Sequence, residues 1–127
     1  MAGKYAETGD NIRREWDVER IWALAADLPV EEVPIESISG LDAVTWFGGD
    51  RQPTVRSVAM HARRILNCDL SYPVILTDDG RVFDGMHRVA RQLLDGAETI
   101  RVQRFPTNPP PCRTVVLEPP SPESTAS

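Results

Sequence analysis

Apolar positions along this chain change period several times, and each change marks an element. From Asp10 to Leu28, Ile12, Trp16, Val18, Ile21, Trp22, Ala25 and Leu28 form a broad stripe that predicts one helix, with Asp10 or Asn11 as its cap. Pro29 stops it. Glu32–Ile38 then alternates apolar and polar residues as a half-buried strand does, and Pro34 marks a strand edge or start. Ser39-Gly40-Leu41-Asp42 reads as a turn. Val44–Asp50 is short, aromatic and ends on glycines, which predicts a loop or half-turn that packs by its aromatics. A second helix is expected over Pro53–Leu66. Pro53 suits its first turn, Val55, Val58, Ala59, Ala62, Ile65 and Leu66 share a face, and Arg56, His61, Arg63 and Arg64 take other positions.

Tyr72–Thr77 is a continuous apolar run, Asp78-Asp79-Gly80 a tight-turn signal, and Arg81–Phe83 a second short strand. Met86, Val89, Ala90, Leu93 and Leu94 recur at helical spacing until Asp95-Gly96 closes the helix. Thr99–Phe105 reads as a strand ended by Pro106. Seven of the 11 prolines lie from Pro106 onward, where Cys112–Leu117 adds at most one edge strand before a disordered tail. The order helix, strand, helix, strand, strand, helix, strand predicts a small α+β domain. Val33–Ile38, Pro73–Thr77, Arg81–Phe83 and Ile100–Phe105 are expected in one mixed sheet, with Pro53–Leu66 and Met86–Asp95 packed on it. Residues 1–9 are expected to be a flexible lead, 10–118 the domain and 119–127 a Pro/Ser-rich tail.

Size and charge narrow the function classes. A chain of 127 residues supports a single core. A net charge of −5 argues against broad electrostatic binding to nucleic acid. No run approaches the roughly 18 apolar residues of a membrane helix, so no membrane partner is expected. The first residues hold no apolar leader, and the expectation is a cytoplasmic protein. Cys68 and Cys112 lack the close spacing of a zinc site and read as reduced thiols. Oligomeric state is left open.

The densest chemistry lies at Phe83-Asp84-Gly85-Met86-His87-Arg88-Val89-Ala90, where a strand turns into a helix. Free helix amides, a glycine without a side chain and the cationic pair His87-Arg88 gather there. Together they make an anion site, most often for phosphate. Plainer alternatives stand beside this reading. His87 and Arg88 cap the sheet and pair with Asp84 or Glu98. His61 is solvated helix surface or part of a basic helix closing over a ligand. Trp46 and Phe47 are core or a base-stacking pair.

That run, reached through strand and hairpin, resembles the signature of the ParB/sulfiredoxin superfamily, and Val33-Pro34-Ile35-Glu36-Ser37-Ile38 is similar to its opening strand. The resemblance spans roughly Val33 to Phe105. It implies a nucleotide-binding fold in which Asp84, Gly85, Met86, His87 and Arg88 hold phosphates of ATP or ADP, with CTP a further candidate, and Mg²⁺. Sulfiredoxin chemistry needs a thiolate where this chain has Met86, and Phe47-Gly48-Gly49-Asp50-Arg51 echoes that motif without its Cys and His. The chromosome-partitioning members carry a DNA-binding domain for which this chain shows no counterpart. The free serine kinases remain the nearest described chemistry. They imply phosphoryl transfer to a small hydroxyl-bearing metabolite, with a carboxylate to deprotonate the acceptor. Asp42 occupies roughly the kinase position, with Glu36 and His87 as further catalytic candidates; the plainer role of Asp42 is a turn or helix cap. The alternative function is a non-catalytic nucleotide-sensing or protein-interaction module.

Overall fold

The computed structural model describes residues 3–117 and shows a mixed α+β architecture of two sheets and three α-helices. The chain opens with an antiparallel hairpin, β1 (Lys4–Gly9) and β2 (Ile12–Asp17), and runs directly into α1 (Val18–Ala25). The helix expected over Asp10–Leu28 is therefore only half helix, and the lead expected to be flexible is a strand. Asp10 and Asn11 explain the first half. Both adopt positive φ, 54° and 59°, and form a two-residue turn with Gly9 paired to Ile12. Asp and Asn tolerate that region better than other side chains, and such a turn matches the twist of the strands it joins.

A four-stranded sheet forms the centre, in the order β3 (Glu31–Pro34), β6 (Thr99–Arg104), β4 (Val74–Leu76), β5 (Val82–Asp84). β4 and β6 run parallel and the other pairs antiparallel. These are the four strands expected from the sequence, with one correction. The first ends at Pro34, and Ile35–Ser37 form a 3₁₀ turn that still buries Ile35 and, just beyond it, Ile38. β7 (Arg113–Val116) is the expected edge strand, but it joins β1 and β2 in a second sheet, antiparallel to β2. Arg113 reaches across to Asp17 at 2.6 Å and to Glu15 at 3.1 Å.

Alternation of side chains splits the core into two layers, as the pleat requires. Val74, Leu76, Val82, Ile100 and Val102 face α3 (Met86–Leu94) and bury its Val89. On the other side Ile75, Phe83 and Phe105 meet Trp16, Ile21 and Ala25 from the hairpin and α1. Trp16 and Phe83 are centred 5.5 Å apart edge-to-face, and the Trp16 indole N–H donates to the Pro109 carbonyl at 2.8 Å. α3 ends as expected. Gly96, at φ 76°, donates to Leu93 and Ala97 donates to Gln92, the paired closure that glycine permits after a helix.

The remaining helix, α2 (Val55–Asn67), starts later than expected. Thr54 caps it by accepting from the Ser57 amide at 3.1 Å, which leaves Pro53 outside. It packs on α3 rather than on the sheet, and its apolar stripe is not a core face. None of its residues is buried, and Val55 is 89% exposed. Among the described residues no helix is long and apolar enough to cross a membrane. The tail expected over 119–127 lies outside the described residues.

Candidate functional site

At the β5–α3 junction the chain turns through Gly85, the N-cap of α3, at φ 114°. Without a Cβ there, the Arg88 guanidinium folds back flat over the glycine. A Cβ built on Gly85 would stand 2.8 Å from Nη2 and 3.1 Å from Nε of Arg88. Nη2 donates to Asp84 Oδ2 at 3.1 Å and lies 3.4 Å from the Pro73 carbonyl. The plainer reading of Arg88 as a partner of Asp84 thus holds for one end of the guanidinium. Its Nε is buried with no partner among the described residues. A buried donor without an acceptor is costly, and this one lies beside the first amides of a helix, which have no intrahelical partner either.

Asp84 has a second partner that the sequence did not suggest. The Trp22 indole N–H, from α1, donates to the same Oδ2 at 2.7 Å. Trp22, Tyr72 and Gln103 border a cleft of about 550 Å³ beside Asp84 and Arg88, on the face of the sheet opposite α3. Trp22 was legible only as one more apolar position of a helix stripe. Its 48% exposure, odd for a tryptophan beside a core, is what the structure adds.

His87 points the other way, toward α2. Its Nε2 lies 3.4 Å from Nδ1 of His61, and the Trp46 indole stacks on its ring at 4.7 Å with planes 8° apart. Phe47 meets the His61 ring edge-on at 5.3 Å. The loop therefore does pack by its aromatics, and both histidines join it. Their pKa values fall below the ordinary imidazole range. For His87 burial is the main cause, followed by the His61, Arg64 and Arg88 charges, with Asp84 opposing. For His61 burial again leads, then Arg64 and Arg51.

These depressed values make stability pH-dependent with a definite sign. The unfolded chain takes up protons near the ordinary imidazole value, while the folded chain resists them. The stabilising contribution is complete above about pH 6.5 and is lost as pH falls through the lower folded values. We expect Tm to drop between pH 7.5 and 5.5, and His87→Gln to flatten that slope. A variant whose Tm tracks wild type over the window would place the pH dependence elsewhere.

The catalytic candidates are less gathered. Glu36 is exposed in the 3₁₀ turn, and Asp42 is exposed in the turn that begins at Gly40. That turn nevertheless abuts the junction. A Cβ on Gly40 would lie 3.9 Å from the Met86 Cε, Leu41 packs against the α3 side of the core, and Leu41 and Ala43 line a smaller apolar cleft of about 240 Å³ with Met86. Met86 itself packs its side chain inward against the core.

Among the described residues no three His, Cys, Asp or Glu side chains stand together as a metal cage. Mg²⁺ carried on nucleotide phosphates keeps several waters and needs only one or two carboxylates, so the donor set is compatible with that form of metal. Cys68, which closes α2 with its thiol on the Ile65 carbonyl, and Cys112 are both free thiols. The fold is a small mixed α+β domain in which the β5–α3 junction turns through Gly85 between two clefts. No family model, curated protein or solved structure matches the chain.

Proposed function

We propose that this chain binds a nucleoside di- or triphosphate by its phosphates at the β5–α3 junction, in a ParB/sulfiredoxin-like manner, and transfers a phosphoryl group to a small hydroxyl-bearing metabolite. One observation carries the binding half. The guanidinium of Arg88 is laid over Gly85 with its buried Nε unpaired, beside the amino end of α3. Helix amides and a fixed guanidinium supply directional donors to phosphate oxygens, and the helix end adds a favourable field. Met86, His87 and Arg88 amides, with the Arg88 side chain, hold the anion. Mg²⁺, if carried on the phosphates, would supply charge neutralisation there. Asp42, on the turn against Met86, accepts the proton of the acceptor hydroxyl, with Glu36 and His87 as the other bases within the fold. His87 enters neutral at pH 7, held so by burial and by its cationic neighbours, and an arriving phosphate favours its protonation.

A second reading has its own observation. Most of the apolar stripe of α2 is exposed, with Val55, Val58 and Leu66 on the surface and only Ile65 half-buried, which suits a nucleotide-responsive interaction module that has no transfer chemistry.

Thermal-shift measurements with Mg²⁺ and ATP, ADP, CTP, GTP or pyrophosphate test the binding half. A ligand at about 100 times its Kd should add roughly 2.7 kcal/mol to stability. Arg88→Ala should weaken the active ligand roughly ten- to a hundredfold, the loss expected for a charge-assisted hydrogen bond of about 1.5–3 kcal/mol. Its side chain is 16% exposed and its ion pair with Asp84 lies at the edge of the sheet, so the fold should survive. Unfolding of Arg88→Ala without any nucleotide response in the wild type would make Arg88 a structural brace and remove the site.

A further inference from the structure

The cleft on the opposite face of the sheet holds an unusual set of groups for a surface depression. Its volume of about 550 Å³ is that of a small-molecule pocket. Two half-exposed aromatics, Trp22 at 48% and Tyr72 at 63%, border it. The Trp22 plane is fixed by its N–H on Asp84 Oδ2. Ile75 is its apolar floor.

The floor has a register. Gln103 pairs with Ile75 across β6 and β4, and Ile75 pairs with Asp84 across β4 and β5. The three therefore lie in one row across the sheet. Neighbouring strands are roughly 4.8 Å apart, which puts Gln103 and Asp84 about 10 Å from each other. Both ends of the row are hydrogen-bond acceptors. Gln103 Nε2 donates to the Ala25 and Leu28 carbonyls at 3.0 and 2.9 Å, so the amide is oriented and Oε1 is left to accept. Asp84 takes its two donors on Oδ2, and Oδ1 accepts none among the described residues.

We propose that this cleft is the nucleoside half of the ligand site and selects an amino-bearing base; the inference rests on the phosphate reading above. Asp84 belongs to both halves, since it ends β5 at the junction and lines the cleft. A nucleotide with its phosphates at the start of α3 places its ribose hydroxyls as donors at Asp84 Oδ1. Its base then covers Ile75 beside Trp22 and Tyr72, and its far edge reaches Gln103 Oε1. An exocyclic amino group donates there. A carbonyl at the same position of the ring sets two acceptors against each other, and that is the source of discrimination.

Isothermal titration in Mg²⁺ of wild type, Tyr72→Ala and Gln103→Leu against ATP, ITP, CTP, UTP, adenosine and pyrophosphate tests this. The pairs ATP/ITP and CTP/UTP differ in an amino group against a carbonyl. Wild type should prefer the amino member of each pair about tenfold or more, as expected when a buried polar group loses its partner. Gln103→Leu should abolish that preference. Tyr72→Ala removes an exposed ring and leaves the core intact, so it should fold. It should weaken ATP roughly tenfold, the scale of a lost base–aromatic stack, and leave pyrophosphate unchanged. Equal binding of all four nucleotides, with Tyr72→Ala without effect, would overturn the cleft assignment while the phosphate site stands. Adenosine binding that Tyr72→Ala removes, in a protein that ignores pyrophosphate, would uphold the cleft and overturn the phosphate reading instead. No response to any of the six would overturn both.

Discussion

Trp16→Ala should cost about 3–5 kcal/mol, the range for deleting a large buried aromatic, and lower Tm by roughly 10–30 °C. Trp16 is 3% exposed and joins the hairpin to the central sheet. It meets Phe83 and Tyr5 with ring centroids 5.5 and 5.8 Å away, and Phe83 in turn meets Phe105. Ile21 and Ala25 of α1 share the same buried cluster, and Tyr5 of β1 meets Phe83 at 5.0 Å, but Trp16 is the largest side chain in it. Trp16→Phe keeps most of the volume and loses the bond to the Pro109 carbonyl, so about 1–2 kcal/mol is expected from it. Chemical denaturation of the three proteins measures this. A loss below about 1 kcal/mol in Trp16→Ala would mean that the hairpin is not docked through this residue. Phe83 directly precedes Asp84, so loosening the cluster should also weaken ligand binding at the junction.

That same tryptophan shows why the sequence misled at its start. Ile12 and Trp16 are four apart, and four residues return to the same side of both a helix and a strand. The stripe was therefore compatible with either. The deciding signal was Asp10-Asn11, which looked like a helix cap and is instead a hairpin turn with both residues at positive φ. The available clue was the Asp10-Asn11 pair itself, a dipeptide suited to a two-residue hairpin turn, following Gly9. The central strands were plainer. Tyr72–Thr77 is a short continuous apolar run with a tight-turn signal behind it, and no helix fits between those bounds. In α2 the period was right and the partner wrong. Spacing gives a face but not what covers it, and here the face is left exposed.

The strand-to-helix junction was legible because it is contiguous. Asp84 to Arg88 needed only a strand, a glycine and a helix in order, and Gly85 adopts the positive φ that makes glycine necessary there. What the sequence withheld depends on the path of distant segments. His61 meets His87 because α2 packs on α3, and Trp46 reaches both because its loop folds over them. Trp22 and Gln103 reach the cleft through α1 and β6, which lie 62 and 19 residues from Asp84 along the chain. No local pattern carries such a meeting.

Asp42→Asn should leave nucleotide binding nearly intact while turnover falls by about 10²–10⁴-fold, the contribution of a lost general base. The motive is placement. Asp42 follows Gly40 and Leu41 in a turn whose glycine lies against the Met86 methyl, at the first residue of α3. A carboxylate there lies in the turn against the start of α3, the proposed phosphate end, without being tied into the fold, since the residue is exposed. Asparagine keeps the size and turn preference of aspartate, so the Ala43 amide bond to the Gly40 carbonyl at 3.1 Å should persist. Transfer from ATP or ADP to candidate hydroxyl-bearing metabolites, followed together with nucleotide affinity, separates the outcomes. Unchanged turnover moves the base to Glu36 or His87, and Glu36→Gln then becomes the variant that loses activity. Clear nucleotide binding with no hydrolysis and no transfer in the wild type overturns the enzyme. The exposed face of α2 would then be the part of the molecule that the nucleotide serves.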